Sequence, residues 1–156
     1  MIARQYTNTV VGVGTVLNME FLKTAIDAGS QFVLAPITMT KEMLDLCKEK
    51  NVVSVPAAFL PSEVYEMYTS GADIIKLFPA VDLPTRYVKD IQAPLGEIPI
   101  MVVGGVNTEN VFEYFKNGAK YASIGSGICK REELKKGDNH SLIENLRKLS
   151  ELAEKL

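Results

Sequence analysis

The chain has 156 residues, 47% of them apolar, and a formal net charge of −2. That composition supports one buried core, hence a single domain over residues 1–156. The absence of a basic run argues against nucleic acid as a partner, and no apolar run approaches the ~18 residues a membrane span needs.

In chain order, the first apolar run covers residues 9–13 and leads into Gly12-Val13-Gly14-Thr15. Asn18 then stands where a helix N-cap accepts a backbone N–H, and Phe21, Leu22, Ala25 and Ile26 share one helical face. Gly29 stands where the helix end needs a left-handed residue. A second run, 31–35, ends at Pro36, and Thr40 is placed to cap the next helix. A third, 52–55, ends at Pro56, with Ser62 as the expected cap and Gly71 as the expected stop. The fourth, 73–78, contains Lys76 and ends in Phe78-Pro79. The fifth, 98–103, ends in Gly104-Gly105; Thr108 is the expected cap, Val111, Phe112 and Phe115 share a helical face, and Gly118 is the expected stop. The sixth, 121–124, ends in Gly125-Ser126-Gly127. Glu132, Glu133, Lys135 and Lys136 read as a solvated charged segment, and a last helix is expected over residues 141–155.

Each run is almost continuously apolar and rich in Val and Ile, as strands buried on both faces are. Regular strand–helix units imply parallel strands in an α/β fold of about six βα units. An open doubly wound sheet and a closed barrel both fit that pattern. Polar and turn residues cluster after every strand, on the face where barrel active sites are built, which favours the barrel.

Lys76 lies among Ile74, Ile75, Leu77 and Phe78. An ammonium there is costly unless paired or deprotonated, and a neutral amine is a nucleophile toward carbonyls. A lysine that merely snorkels to water from a strand end is the alternative. Gly104-Gly105 and Gly125-Ser126-Gly127 end consecutive strands, where close backbone approach and free N–H groups suit an anion such as phosphate; two tight turns are the alternative. The Thr15 hydroxyl could bond a substrate carboxylate or hydroxyl. Pro36 and Pro56 read as loop-shaping residues. His140, the one histidine, reads as an exposed helix-start residue. Cys47 and Cys129 lack metal-ligand spacing and read as buried, reduced thiols of a cytoplasmic protein; residues 1–8 read as polar, and no signal peptide is expected. No metal site and no cofactor are expected.

Gly12-Val13-Gly14-Thr15-Val16-Leu17, Ala35-Pro36, Val55-Pro56-Ala57, Ile75-Lys76-Leu77-Phe78-Pro79-Ala80, Gly104-Gly105-Val106 and Gly125-Ser126 together resemble the 2-keto-3-deoxy-6-phosphogluconate / 4-hydroxy-2-oxoglutarate (KDPG/KHG) aldolase family. The resemblance implies a TIM-type (β/α)8 barrel, a homotrimer, and a class I aldolase. Such an enzyme cleaves a 2-keto-4-hydroxy acid, often 6-phosphorylated, to pyruvate and an aldehyde. It further implies Lys76 as the Schiff-base lysine and Thr15 beside the pyruvate carboxylate. Pro36, Pro56 and Phe78 would line the substrate pocket, and Gly104, Gly105 and Ser126 would form the phosphate cradle.

The sequence departs from the family pattern in two places. Val103 stands where the family more usually has threonine, which would shift substrate preference or rate. A full barrel typically needs ~200 residues or more, and residues 1–6 read as the last turn of the helix before a third strand. The first two strands are therefore expected to be missing, and with them a proton-transfer glutamate and a carboxylate-binding arginine. Asp82 is a doubtful replacement for the glutamate. A piece of a longer aldolase, with feeble activity on its own, is the expectation. Two competing functions are another phosphate-binding barrel enzyme, such as an epimerase or synthase, and a non-catalytic remnant that binds a phosphorylated sugar acid or a partner chain.

Overall fold

The computed structural model describes residues 9–129 and 131–154. The helical turn expected over residues 1–6 and the end of the last helix at Lys155 lie outside the described residues. The chain gathers into two compact units. Among the described residues, one holds 9–78 together with Glu97–Pro99; the other holds Pro79–Gly96 and those from Ile100 onward.

In the first unit, strands β1 (Gly12–Val13), β2 (Phe32–Leu34) and β3 (Val53–Val55) pair in parallel, with Gly12 opposite Phe32 and Val33 opposite Ser54. Strand β4 (Ala57–Ala58) pairs in parallel with β5 (Ile75–Leu77), placing Ala57 opposite Lys76. The sequence suggests one strand, 52–55, where the structure has two. Pro56, which has no N–H to donate, separates them, yet bonds to both neighbouring segments run past it: the Ser54 carbonyl accepts from the Ile74 N–H at 3.2 Å and the Ala57 N–H donates to the Ile37 carbonyl at 3.0 Å. The Pro56 carbonyl still accepts from the Lys76 N–H at 2.8 Å.

Helices α1 (Met19–Asp27), α2 (Lys41–Glu49) and α3 (Pro61–Thr69) lie between these strands in sequence. Asn18 caps α1 through its side chain, accepting from the Phe21 N–H at 2.9 Å, and Thr40 does the same for α2 with the Met43 N–H. Ser62 does not cap α3. Pro61 occupies the first helical turn, where its fixed φ suits the position, and the Glu63 carboxylate reaches back to the Phe59 and Leu60 N–H groups. The apolar stripe of each helix is buried: Leu22 and Ala25, then Met43, Leu44 and Cys47, then Val64 and Met67. Leu22, Val33, Leu44, Val55, Val64, Ile75 and Leu77 are almost wholly enclosed. Each such side chain contributes about 1.5–3 kcal/mol relative to exposure.

Cys47 belongs to this core. Burial, reinforced by the Asp73 carboxylate, pushes its thiol up to about 11. The folded state thus favours the thiol, an advantage lost as pH rises from the ordinary cysteine value toward about 11. In the native chain at pH 8, an aromatic disulfide reagent is expected to label Cys129, which is half-buried, and to label Cys47 only after urea is added. Mass mapping of the labelled peptides checks this.

In the second unit, β6 (Ile100–Val103) pairs in parallel with β7 (Tyr121–Ser123). A 3-10 turn (Ala80–Asp82) and helices α4 (Tyr87–Leu95), α5 (Val111–Lys116), α6 (Arg131–Lys135) and α7 (His140–Ala153) complete it. The charged segment after β7 is thus helical and largely exposed, and His140 starts α7 in an exposed position, as expected. Thr108 does not cap α5, because the Asn107 side-chain oxygen takes the Glu109 and Asn110 N–H groups instead. Gly29, Gly71 and Gly118 adopt φ of +86°, +94° and +97° where the helices before them end, as their positions predict.

Candidate active site

Side chains on a strand alternate between faces. Within β5, Ile75 and Leu77 fill one face and Lys76 points to the other. Lys76 is 6% exposed, and its partner across the β4 ladder is Ala57, whose small side chain leaves room for it. Among the described residues, no carboxylate lies in ion-pair range of its Nζ. The Nζ instead sits 4.9 Å from the centre of the Phe78 ring. Burial pulls the Lys76 pKa below the ordinary lysine value. Ring contact favours the cation and burial the neutral amine, and burial dominates.

The first unit also holds a cavity of about 300 Å³ lined by Pro36, Thr38, Ala58, Glu63 and Phe78 among others; Lys76 does not line it, but Phe78, whose ring its Nζ faces, does. Pro36 and Phe78 both line it. Pro56 is buried at the junction of β3 and β4, shaping the strand ends without lining that cavity. Glu63 was not singled out by the sequence reading. The Pro61-Ser62-Glu63 pattern, with proline at the first helical position and an acid at the third, was the signal that could have found it. The backbone N–H groups of Leu60 and Phe59, at 3.0 and 2.7 Å, hold its carboxyl below the usual range.

Thr15 follows β1 and is exposed, with φ of +62°. A β-branched residue in that region is a backbone outlier, and such strain concentrates at functional positions. Thr15→Gly is expected to raise stability by about 0.5–1 kcal/mol in urea unfolding, because relief of strain exceeds the entropy glycine adds to the unfolded chain.

In the second unit, Gly104 and Gly105 adopt φ of +92° and +74°. The Gly104 carbonyl accepts from the Val81 N–H at 3.0 Å, and a Cβ on Gly105 would meet the Val81 Cβ at 2.4 Å. The loop Gly125-Ser126-Gly127 comes against the same segment: a Cβ on Gly127 would lie 2.5 Å from the Val106 carbonyl oxygen. Among the described residues, the N–H groups of Gly105, Val106, Gly125, Ser126 and Gly127 carry no hydrogen bond. Unpaired N–H groups on two adjoining loops are donors of the kind that suit an anion. Gly104, Gly105 and Ser126 thus lie in one unit, on two loops that meet at Gly127 and Val106. Thr15, Pro36, Pro56, Lys76 and Phe78 belong to the other. Asp82 is exposed in the 3-10 turn.

An aldolase family model described as KDPG and KHG aldolase matches residues 1–146. A Rhizobium meliloti (strain 1021) protein named "probable 2-dehydro-3-deoxy-6-phosphogalactonate aldolase" is 30% identical over 122 residues, covering 78% of this chain and 57% of its own. The chain therefore spans less than two thirds of that relative. A structure described as native KDPGal superposes with a TM-score of 0.83 over 98% of this chain and 75% of its own, at 22% identity. The KDPG aldolase from Legionella pneumophila, with pyruvate captured at low pH as a covalent carbinolamine intermediate, superposes with a TM-score of 0.79 at 24% identity, over 92% of this chain and 69% of its own. At these identities the solved structures establish the fold, which is α/β of the TIM-type barrel class.

Proposed function

The chain belongs to the KDPG and KHG aldolase family, and from that premise we propose that it carries the imine-forming site of a class I aldolase. The observation that carries this reading is Lys76: a buried strand lysine, unpaired with any carboxylate among the described residues, with its pKa lowered by burial. The neutral Nζ attacks the C2 carbonyl of a 2-keto acid to give a carbinolamine, and loss of water leaves an iminium. The C3–C4 bond then breaks, its electron pair flowing into the iminium as an enamine, while the C4 hydroxyl loses its proton and departs as an aldehyde. Protonation at C3 and addition of water release pyruvate and the free lysine. No metal is called on in this sequence of steps.

The C4 proton needs a base. Glu63 is the carboxylate of the cavity among the described residues, and its lowered pKa makes it a poor base near neutral pH. Its fixed charge suits it to accept a substrate hydroxyl. Thr15, Pro36, Pro56 and Phe78 are assigned to the keto-acid side, and Gly104, Gly105 and Ser126 to the phosphate of a 2-keto-3-deoxy-6-phospho sugar acid. The unpaired N–H groups of the two glycine loops support the phosphate assignment. A homotrimer in the cytoplasm is the assembly and location proposed from the family resemblance; a mass in solution three times that of the chain tests the first.

Pyruvate release, coupled to lactate dehydrogenase and NADH, tests the reading. Activity is expected with 2-keto-3-deoxy-6-phosphogluconate or its galactonate epimer in preference to 4-hydroxy-2-oxoglutarate, and none with Lys76→Arg. Turnover that survives Lys76→Arg would rule the reading out. Another phosphate-using barrel chemistry would need no lysine on this strand.

A further inference from the structure

We propose that Asn110 is a positioning residue for anion binding: its side-chain amide locks the Gly105 peptide and so presents the free N–H groups of the Gly104–Val106 turn. The inference rests on the phosphate assignment made above and adds to it a residue that touches no substrate.

Asn110 bonds to the residues on either side of Val106. Its Nδ2 donates to the Gly105 carbonyl at 3.0 Å, and its Oδ1 accepts from the Asn107 N–H at 2.9 Å. A trans peptide is planar, with its N–H directed opposite to its carbonyl. Fixing the Gly105 carbonyl on Asn110 therefore turns the Val106 N–H away from Asn110, and that N–H has no acceptor among the described residues. A free turn with two glycines could flip this peptide and offer a carbonyl oxygen, which would repel an anion.

Asn110 immediately precedes α5, so a simple helix cap is the competing role. The geometry argues against it. The backbone of Asn110 is already near-helical, with φ of −105° and ψ of −18°, and its side chain makes no cap bond to the helix. The oxygens of Asn107 serve that helix start instead, the side chain taking the Glu109 and Asn110 N–H groups and the carbonyl taking Val111. The Asn110 amide is thus committed to the turn. One helical turn on, buried Tyr114 donates to the Ala80 carbonyl at 2.9 Å, steadying the segment whose Val81 N–H holds Gly104. Helix α5 therefore supports the turn at two points.

Asn110→Ala removes both bonds. Asn110→Ser keeps a small oxygen near the Asn107 N–H and loses the donor to Gly105. Both are compared with the wild-type full chain by titration with inorganic phosphate, followed through the amide resonances of Gly105 and Val106. Borohydride trapping of pyruvate is run on the same preparations. Both variants are expected to bind phosphate about tenfold more weakly, as loss of one charge-relevant contact implies. The yield of pyruvate adduct is expected to stay within about twofold, because Lys76 does not depend on this turn. Unchanged phosphate affinity in both variants overturns the role of Asn110 and leaves the phosphate assignment standing. A wild-type chain that binds no phosphate overturns the assignment and the inference together. Loss of the pyruvate adduct along with phosphate binding overturns the inference in favour of a general structural role.

Discussion

Lys76→Met is expected to abolish turnover while making the chain more stable. The activity loss should be on the order of 10⁴-fold or more, because the nucleophile is removed outright. The stability gain should be about 1 kcal/mol or more, because an isosteric apolar side chain replaces a buried ammonium that no carboxylate pairs with among the described residues. Its sign with pH follows from the lowered pKa. Above that lowered value and below the ordinary lysine value, the unfolded chain holds a proton on Lys76 that the folded chain does not. Wild-type stability therefore rises with pH across that window, and the advantage of Lys76→Met shrinks. Urea unfolding of both chains at several pH values up to the lysine range measures the gap. A core lysine kept only for packing would show no gain at any pH.

Gly105→Ala is expected to cost about 2–5 kcal/mol. Two terms add: a left-handed backbone at φ of +74°, worth about 1–2 kcal/mol for a residue with a Cβ, and overpacking against the Val81 Cβ at 2.4 Å, worth about 1–3 kcal/mol. The two can be separated. Val81→Gly on the Gly105→Ala background removes the facing atoms and leaves the backbone strain, so part of the loss should return and part should remain. Val81→Ala should return much less, since the Cβ stays. Gly125→Ala is the control, because nothing lies within 4 Å of a Cβ there, and it should shift stability by under about 1 kcal/mol. Urea midpoints of the variants decide the matter. Phosphate affinity should fall for Gly105→Ala even where stability is partly restored.

Much of this site was legible in the sequence because its cause is local. The burial of Lys76 follows from its neighbours Ile75 and Leu77, which must fill the core and thereby turn the lysine to the other face. The left-handed stops at Gly29, Gly71 and Gly118 follow from their place at helix ends. The caps at Asn18 and Thr40 follow from the same local logic, whereas Ser62 and Thr108 lost to competitors. At Ser62 the winner was a proline that fixed the first turn and a glutamate that reached back to it. At Thr108 it was Asn107, one residue earlier, with a side chain long enough to take two N–H groups. What stayed hidden depends on contacts that form only when distant segments meet. The fit of Gly105 against Val81, the approach of Gly127 to Val106, and the grip of Asn110 on Gly105 leave no periodic trace. Pro56 is intermediate: proline announces a missing ladder donor, but not that the strand resumes at Ala57–Ala58 beside β5.

The most direct test of the imine-forming site is intact mass and peptide mapping after the chain is treated with pyruvate and borohydride. A gain equal to one reduced pyruvate is expected, located on Lys76, absent from Lys76→Met, and forming faster as pH rises toward the lowered lysine value. An adduct on another lysine, or none on the folded wild-type chain across that pH range, would contradict it.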